Sequence, residues 1–225
     1  MKAVIFDCDG VLVDSEALAE GVLEEYLGRW LPDLNIAERL SQALGMTTGD
    51  ILKHLEQHSV YTLPDNATEQ VDATIEARLA RELAPVAGVH DAVLAIPLAK
   101  AVVSNSRRQR VVASLACTQL ADAFGKDTPI FTADQVANPK PDPALYLLAA
   151  TQLGYLPGNC LVIEDSVAGV TAAHAAGMCV IGFVGASHVD AEQPARLLHA
   201  GAWRILEHMQ GLNALVNEWQ VRIAS

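Results

Sequence analysis

The chain reads as an α/β protein: a Rossmann-like parallel sheet core with helices on both faces and a small inserted α-helical cap domain. Three observations lead there. Short β-branched apolar runs alternate with helix-period stretches over most of the length. Several of these runs, such as Ala101-Val102-Val103 and Leu161-Val162-Ile163, are apolar at every position, as in strands covered on both faces. Between residues 16 and 83 the alternation stops and only helical periodicity remains, far more chain than the dozen or so residues a crossover needs.

The elements follow in order. A strand is expected over residues 3–7, stopped by the acids Asp7 and Asp9 and by Gly10. Helical patterns then run over residues 16–30, 36–43, 49–58 and 68–82. Pro32 and Leu63-Pro64-Asp65-Asn66 supply turns between them. The segment from Leu83 to Gly88 returns the chain to the sheet. Further strands are expected over residues 99–104, 129–132, 161–165, 180–184 and 203–206. Helices are expected over 89–95, 107–115, 143–153, 168–176, 191–199 and 212–222. The expected domains are a core of residues 1–15 and 84–225 and a helical cap of residues 16–83 set over the strand ends.

Composition excludes several classes. A 51 % hydrophobic content beside 19 % charge suits a folded protein with a substantial core. No apolar run reaches the length of a membrane span, and Asp7 and Asp9 interrupt any leader-like stretch at the start. The net charge of −12 repels nucleic acid and anionic membranes, so neither is expected as a partner. It leaves a small anionic substrate open, since a bound cation reverses the sign locally. Cys8, Cys117, Cys160 and Cys179 have no metal-finger spacing and read as reduced thiols. A cytoplasmic protein, monomeric or weakly dimeric, is the expectation.

Four segments at expected strand ends carry the chemistry. Asp7 and Asp9, two apart in a strand, project to one side. Two carboxylates that close need a cation between them or different jobs. Gly10 lets the chain turn sharply beside them. Val103-Ser104-Asn105-Ser106 ends a strand in hydroxyl and amide groups and opens a helix, which suits a phosphate; capping by Ser106 is the plain alternative. Lys140 stands between Pro139 and Pro141, on a stiff loop that presents a fixed positive charge. Ile163-Glu164-Asp165-Ser166 brings two more acids to the same edge, with Ser166 able to cap the next helix. Several carboxylates in one cleft call for a metal, and oxygen-only ligation suits Mg²⁺.

The order Asp-x-Asp-Gly-x-x-x-Asp from Asp7 to Asp14, Ser104-Asn105, Lys140-Pro141-Asp142-Pro143 and Glu164-Asp165-Ser166-x-x-Gly169 resembles the haloacid dehalogenase-like hydrolase superfamily. The resemblance covers essentially the whole chain. Within that superfamily it is similar to the helical-cap phosphatases, a group that includes phosphoglycolate phosphatases, β-phosphoglucomutases and sugar-phosphate phosphatases. The resemblance implies an Mg²⁺-dependent phosphomonoester hydrolase of a small phosphorylated metabolite, working through an aspartyl-phosphate. It makes Asp7 the nucleophile and Asp9 the general acid and base. It gives the phosphoryl group to Gly10, Ser104, Asn105 and Lys140. It gives the metal to Asp7, Asp9 (through its backbone carbonyl), Asp165 and, through water, Glu164.

Departures narrow the implied reaction. Dehalogenases of this kind lack the second aspartate, so Asp9 favours phosphoryl chemistry. The mutase branch carries a histidine where Ala19 stands, and Thr48 poorly replaces the arginine of its cap loop. Lys53 lies inside a helical pattern rather than at the place of the phosphonate-cleaving branch's Schiff-base lysine. Hydrolysis is therefore preferred over a phosphomutase, and both over a non-catalytic binding protein on the same fold. The turn of residues 43–49 is expected to face the substrate. Arg107, Arg108 and Arg110 follow the second motif, either as a solvated helix face or with one of them reaching a substrate carboxylate.

Overall fold

The computed structural model describes residues 2–41, 48–125, 127–186, 189 and 191–223. Apart from Thr48 and Gly49, the turn expected over residues 43–49 lies outside them. The chain divides into two compact units, residues 1–14 with 84–225, and residues 15–83.

In the larger unit, β1 (Ala3–Phe6) opens the chain. The inserted helices α1 (Ser15–Trp30), α2 (Ile36–Ser41), α3 (Thr48–Glu56) and α4 (Ala67–Glu82) follow. The larger unit resumes with α5 (Val89–Leu94), β2 (Ala99–Ser104), α6 (Arg108–Cys117), α7 (Leu120–Phe124) and β3 (Ile130–Thr132). It ends with α8 (Ala144–Leu153), β4 (Cys160–Glu164), α9 (Val167–Ala175), β5 (Cys179–Phe183), α10 (Gln193–Ala200), β6 (Arg204–Leu206) and α11 (Leu212–Arg222). The alternation predicts this order closely; α7 is the helix it misses.

All six strands are parallel, in the order β3-β2-β1-β4-β5-β6. The chain winds outward from β1 in one direction through β2 and β3, then in the other through β4, β5 and β6. The reversal of strand order therefore falls beside β1, where open parallel sheets place their ligand at the carboxyl ends. Every residue of β1 is fully buried because both faces are covered. Ala3 and Ile5 pack with Val103, Val162 and the α8 and α9 side chains Leu145, Ala149 and Val170. Phe6, on the opposite face, meets Phe124 of α7 edge to face at 5.4 Å.

The described elements of the smaller unit are all helices. Leu23, Leu27 and Leu31 recur every four residues along one side of α1 and its end, so they share a face. They join Ile36, Leu40, Leu52, Leu55 and Val71 in a separate apolar core. Tyr26 and Thr74 share a hydrogen bond of 2.8 Å between α1 and α4, and Arg78 pairs with Glu25. Lys53 is exposed in the middle of α3. Among the described residues no helix is long and apolar enough to cross a membrane.

Candidate active site

Register brings the first groups together. Phe6 lies opposite Val102 on β2 and Ile163 on β4, so the next residues along, Asp7, Val103 and Glu164, meet at one level. The Asp7 amide continues the ladder by donating to Ile163 O at 3.0 Å. Lys140 enters from the loop after β3. Its Nζ donates to Asp7 Oδ1 at 2.5 Å, Glu164 Oε1 at 2.6 Å and Val103 O at 3.1 Å, which uses all three of its protons. The stiff proline-flanked loop is held as well as short: the Asn105 side chain accepts from Lys140 N at 3.0 Å and donates to Lys140 O at 3.1 Å. The Asn105 side chain is thus spent on the lysine loop.

Glu164 is wholly buried and fully engaged. Oε1 accepts from Lys140 and from the Tyr146 hydroxyl at 3.0 Å, while Oε2 accepts from the Ser166 amide at 3.1 Å and hydroxyl at 2.9 Å. Ser166 also caps α9, accepting from Gly169 N at 3.0 Å. The cap expected there is present, and it doubles as a clamp on the acid. Gly169 is required by space, since a Cβ there would lie 1.7 Å from Glu164 Oε1.

Asp165 completes the group. Oxygens of Asp7, Glu164 and Asp165 all lie within 4.8 Å of one another. Gln193, at the start of α10, donates to the Asp165 carbonyl at 2.6 Å. Gly10 has φ +80°, and a Cβ on it would stand 1.9 Å from Asp165 Oδ2. The Gly10 amide donates to Val13 O at 2.8 Å, so the glycine makes room for Asp165, and the phosphate contact expected of it is already spent within the turn.

Asp9 sits to the side of this cluster. Its Oδ2 accepts from the Ser106 hydroxyl at 2.7 Å and its Oδ1 from Arg110 Nη2 at 3.3 Å. Ser106 therefore serves Asp9, and Arg107 rather than Ser106 stands at the N-cap of α6. Ser104 is buried, with its Oγ accepting from the Ser106 amide at 3.0 Å. Arg108 donates to Ile130 O at 2.7 Å, and Arg107 is exposed.

Burial pushes the Asp7 carboxyl up to about 8, against the lowering effect of Lys140 and with Glu164 and Asp9 adding to the rise. Cys8, between the two acids, is buried, and its thiol is driven well above its ordinary value, chiefly by that burial and then by the charges of Asp9 and Asp7. Lys140 contacts Asp7 and Glu164, and Asp165 adds a third buried carboxylate beside them. A hard divalent cation fits that donor set: carboxylate oxygens only, close enough to share one ion.

Tyr146, Ser106, Arg110 and Gln193 are the members that sequence reasoning did not assign. Ser106 carried a signal as the last residue of the second segment and Arg110 as one of three arginines after it; Tyr146 and Gln193 carried none.

The parallel sheet thus gathers carboxylates and a buried lysine at its strand-order reversal, the place where such sheets bind ligands. Residues 1–177 match the haloacid dehalogenase-like hydrolase family, and the chain belongs to it. Its relatives lie on the phosphatase side. It is 30 % identical to 6-phosphogluconate phosphatase of Escherichia coli, over 84 % of this chain and 85 % of that protein. It is 33 % identical to a CBBY-like protein of Arabidopsis thaliana over 80 % of its own length, and this match spans only 62 % of the plant protein. Among solved structures, a haloacid dehalogenase-like protein of unknown function from Agrobacterium tumefaciens superimposes with a TM-score of 0.87. That pair is 34 % identical and covers 97 % and 98 % of the two chains.

Proposed function

We propose that the protein is a Mg²⁺-dependent phosphomonoester hydrolase acting on a small phosphorylated sugar, sugar acid or phosphoglycolate through an aspartyl-phosphate. The observation that carries this reading is Lys140 bridging Asp7 and Glu164 beside Asp165. It puts a fixed positive charge where a phosphoryl group would meet an aspartate, and it leaves room in the charge balance for a cation.

In this reading Asp7 Oδ attacks phosphorus and the bond to the leaving oxygen breaks, with Asp9 giving that oxygen its proton. Water then attacks phosphorus, Asp9 takes a proton from it, and the bond to Asp7 breaks to release phosphate. Lys140 and the Ser104 hydroxyl bind the phosphoryl oxygens as charge moves onto them. Asp7, Asp165 and the Asp9 carbonyl would hold Mg²⁺, with Glu164 behind them fixing Lys140. The ion would supply charge that keeps Asp7 ionised and screens the incoming phosphate. The sugar-phosphate class is supported by the activity named for the bacterial relative.

The test is phosphate release from a panel of phosphorylated sugars, sugar acids and phosphoglycolate, with and without Mg²⁺, for the wild type and Asp7→Asn. The reading requires turnover of at least one of them that needs Mg²⁺ and vanishes in Asp7→Asn. Turnover that survives Asp7→Asn overturns it.

A further inference from the structure

We infer that Arg110 and Ser106 are positioning residues that aim the Asp9 carboxylate. The inference rests on the proposed phosphatase reading and deepens it, since the resemblance gives neither residue a role. Asp9 is gripped at both oxygens, by the Ser106 hydroxyl at 2.7 Å and the Arg110 guanidinium at 3.3 Å. A carboxylate on a short side chain has two soft torsions, and donors on both oxygens fix them.

The pair is not there for the core. The Asp9 and Arg110 side chains are 24 % and 34 % exposed, and ion pairs this wet contribute only about 0–1 kcal/mol to folding. What they share is address. Ser104 closes β2, Ser106 lies in the turn that follows and Arg110 in the first turn of α6, so one short stretch of chain sets both the proposed phosphoryl-binding hydroxyl and the orientation of Asp9. Ser106 ties the two directly, because its amide donates to Ser104 Oγ while its hydroxyl donates to Asp9. Proton transfer demands that geometry, since a misplaced acid loses most of the about 10²–10⁴-fold that such a group supplies.

The experiment compares kcat/KM for phenyl phosphate, whose leaving oxygen needs a proton, with that for p-nitrophenyl phosphate, whose leaving group needs it much less. Arg110→Ala is expected to cost about tenfold more on the first ester than on the second, a share of what a general acid contributes. Arg110→Lys should recover part of the difference. In an Asp9→Asn background, adding Arg110→Ala should cost nothing further on p-nitrophenyl phosphate, because a residue acting through Asp9 has nothing left to act on. Equal losses on both esters, or losses that add to Asp9→Asn, overturn the inference. Should Arg110→Ala fail to fold on thermal melting, Ser106→Ala and Arg110→Lys carry the same comparison. Wild-type turnover of both esters upholds the phosphatase reading whichever way Arg110 falls, and its absence fails that reading first.

Discussion

Lys140 Nζ lies 2.6 Å from Glu164 Oε1, with the lysine side chain 3 % exposed and the glutamate not exposed at all. The same ammonium is 2.5 Å from Asp7 Oδ1. Two acids and one base thus share a dry site, and removal of the base leaves two buried carboxylates facing one another. Lys140→Ala is expected to cost about 3–5 kcal/mol of stability, a fall in Tm of roughly 10 °C for a chain of this size. Combining Lys140→Ala with Glu164→Gln should cost clearly less than the two single changes added together, because the second change removes a charge the first one strands. Thermal melts of the four proteins check this. Simple additivity would mean that the triad is not coupled.

Gly10 and Gly169 are set by the acids they face. A Cβ at Gly10 would stand 1.9 Å from Asp165 Oδ2, on a backbone with φ +80° that side chains resist. Gly10→Ala is expected to lower kcat about 10²-fold by displacing Asp165, alongside a stability loss of about 1–3 kcal/mol. Gly28, in α1 with nothing within 4 Å of its added Cβ, gives the contrast. Gly28→Ala should stabilise the protein by about 0.4–1 kcal/mol. Activity assays and melts on both variants are the check, and equal effects at the two positions would count against the packing argument.

Metal removal should touch stability as well as rate. Three mutually close carboxylates repel once a cation leaves, and an ion present at about 100 times its Kd adds roughly 2.7 kcal/mol of stability. Added Mg²⁺ is therefore expected to raise Tm by several degrees over EDTA-treated protein, and Asp165→Asn should remove most of that rise. A melting curve indifferent to Mg²⁺, in protein that stays active in EDTA, would set the metal site aside.

The thiols separate by environment. Burial pushes the Cys160 thiol up to about 11, so at pH 8 it is almost wholly protonated and inert, and its reactivity climbs only as pH nears that value. Cys8 is buried as well, whereas Cys117 is exposed on α6. A thiol-reactive disulfide reagent at pH 8 is expected to titrate Cys117 first, and Cys8 and Cys160 only on unfolding. Rapid modification of Cys8 in the folded protein would contradict its burial.

Much of this was legible because strand ends and loops carry their own marks. Asp7, Ser104 and Glu164 each close an apolar run, and a parallel sheet brings such ends to one edge whatever lies between them. Lys140 announced itself through its flanking prolines. The contacts that complete the site had no such mark. Ser106 and Asp9 are 97 residues apart, and Arg110 and Asp9 are 101 apart. Tyr146 sits in an apolar helix pattern, where its ring reads as core and its hydroxyl on Glu164 is invisible. The close approach of Asp165 to Gly10, and the turn that the Gly10 amide closes onto Val13, are likewise unmarked in the sequence. The short helix α7, five residues long, falls below the length at which periodicity says anything.

The central claim is that Asp7 becomes covalently phosphorylated. Acid-quenching the protein within a single turnover of a radiolabelled sugar phosphate, then reducing the acyl-phosphate with borohydride and sequencing by mass spectrometry, reads this directly. The account requires label that hydroxylamine releases and a homoserine in place of Asp7. Turnover without any label on the chain, or label on another residue, would contradict it.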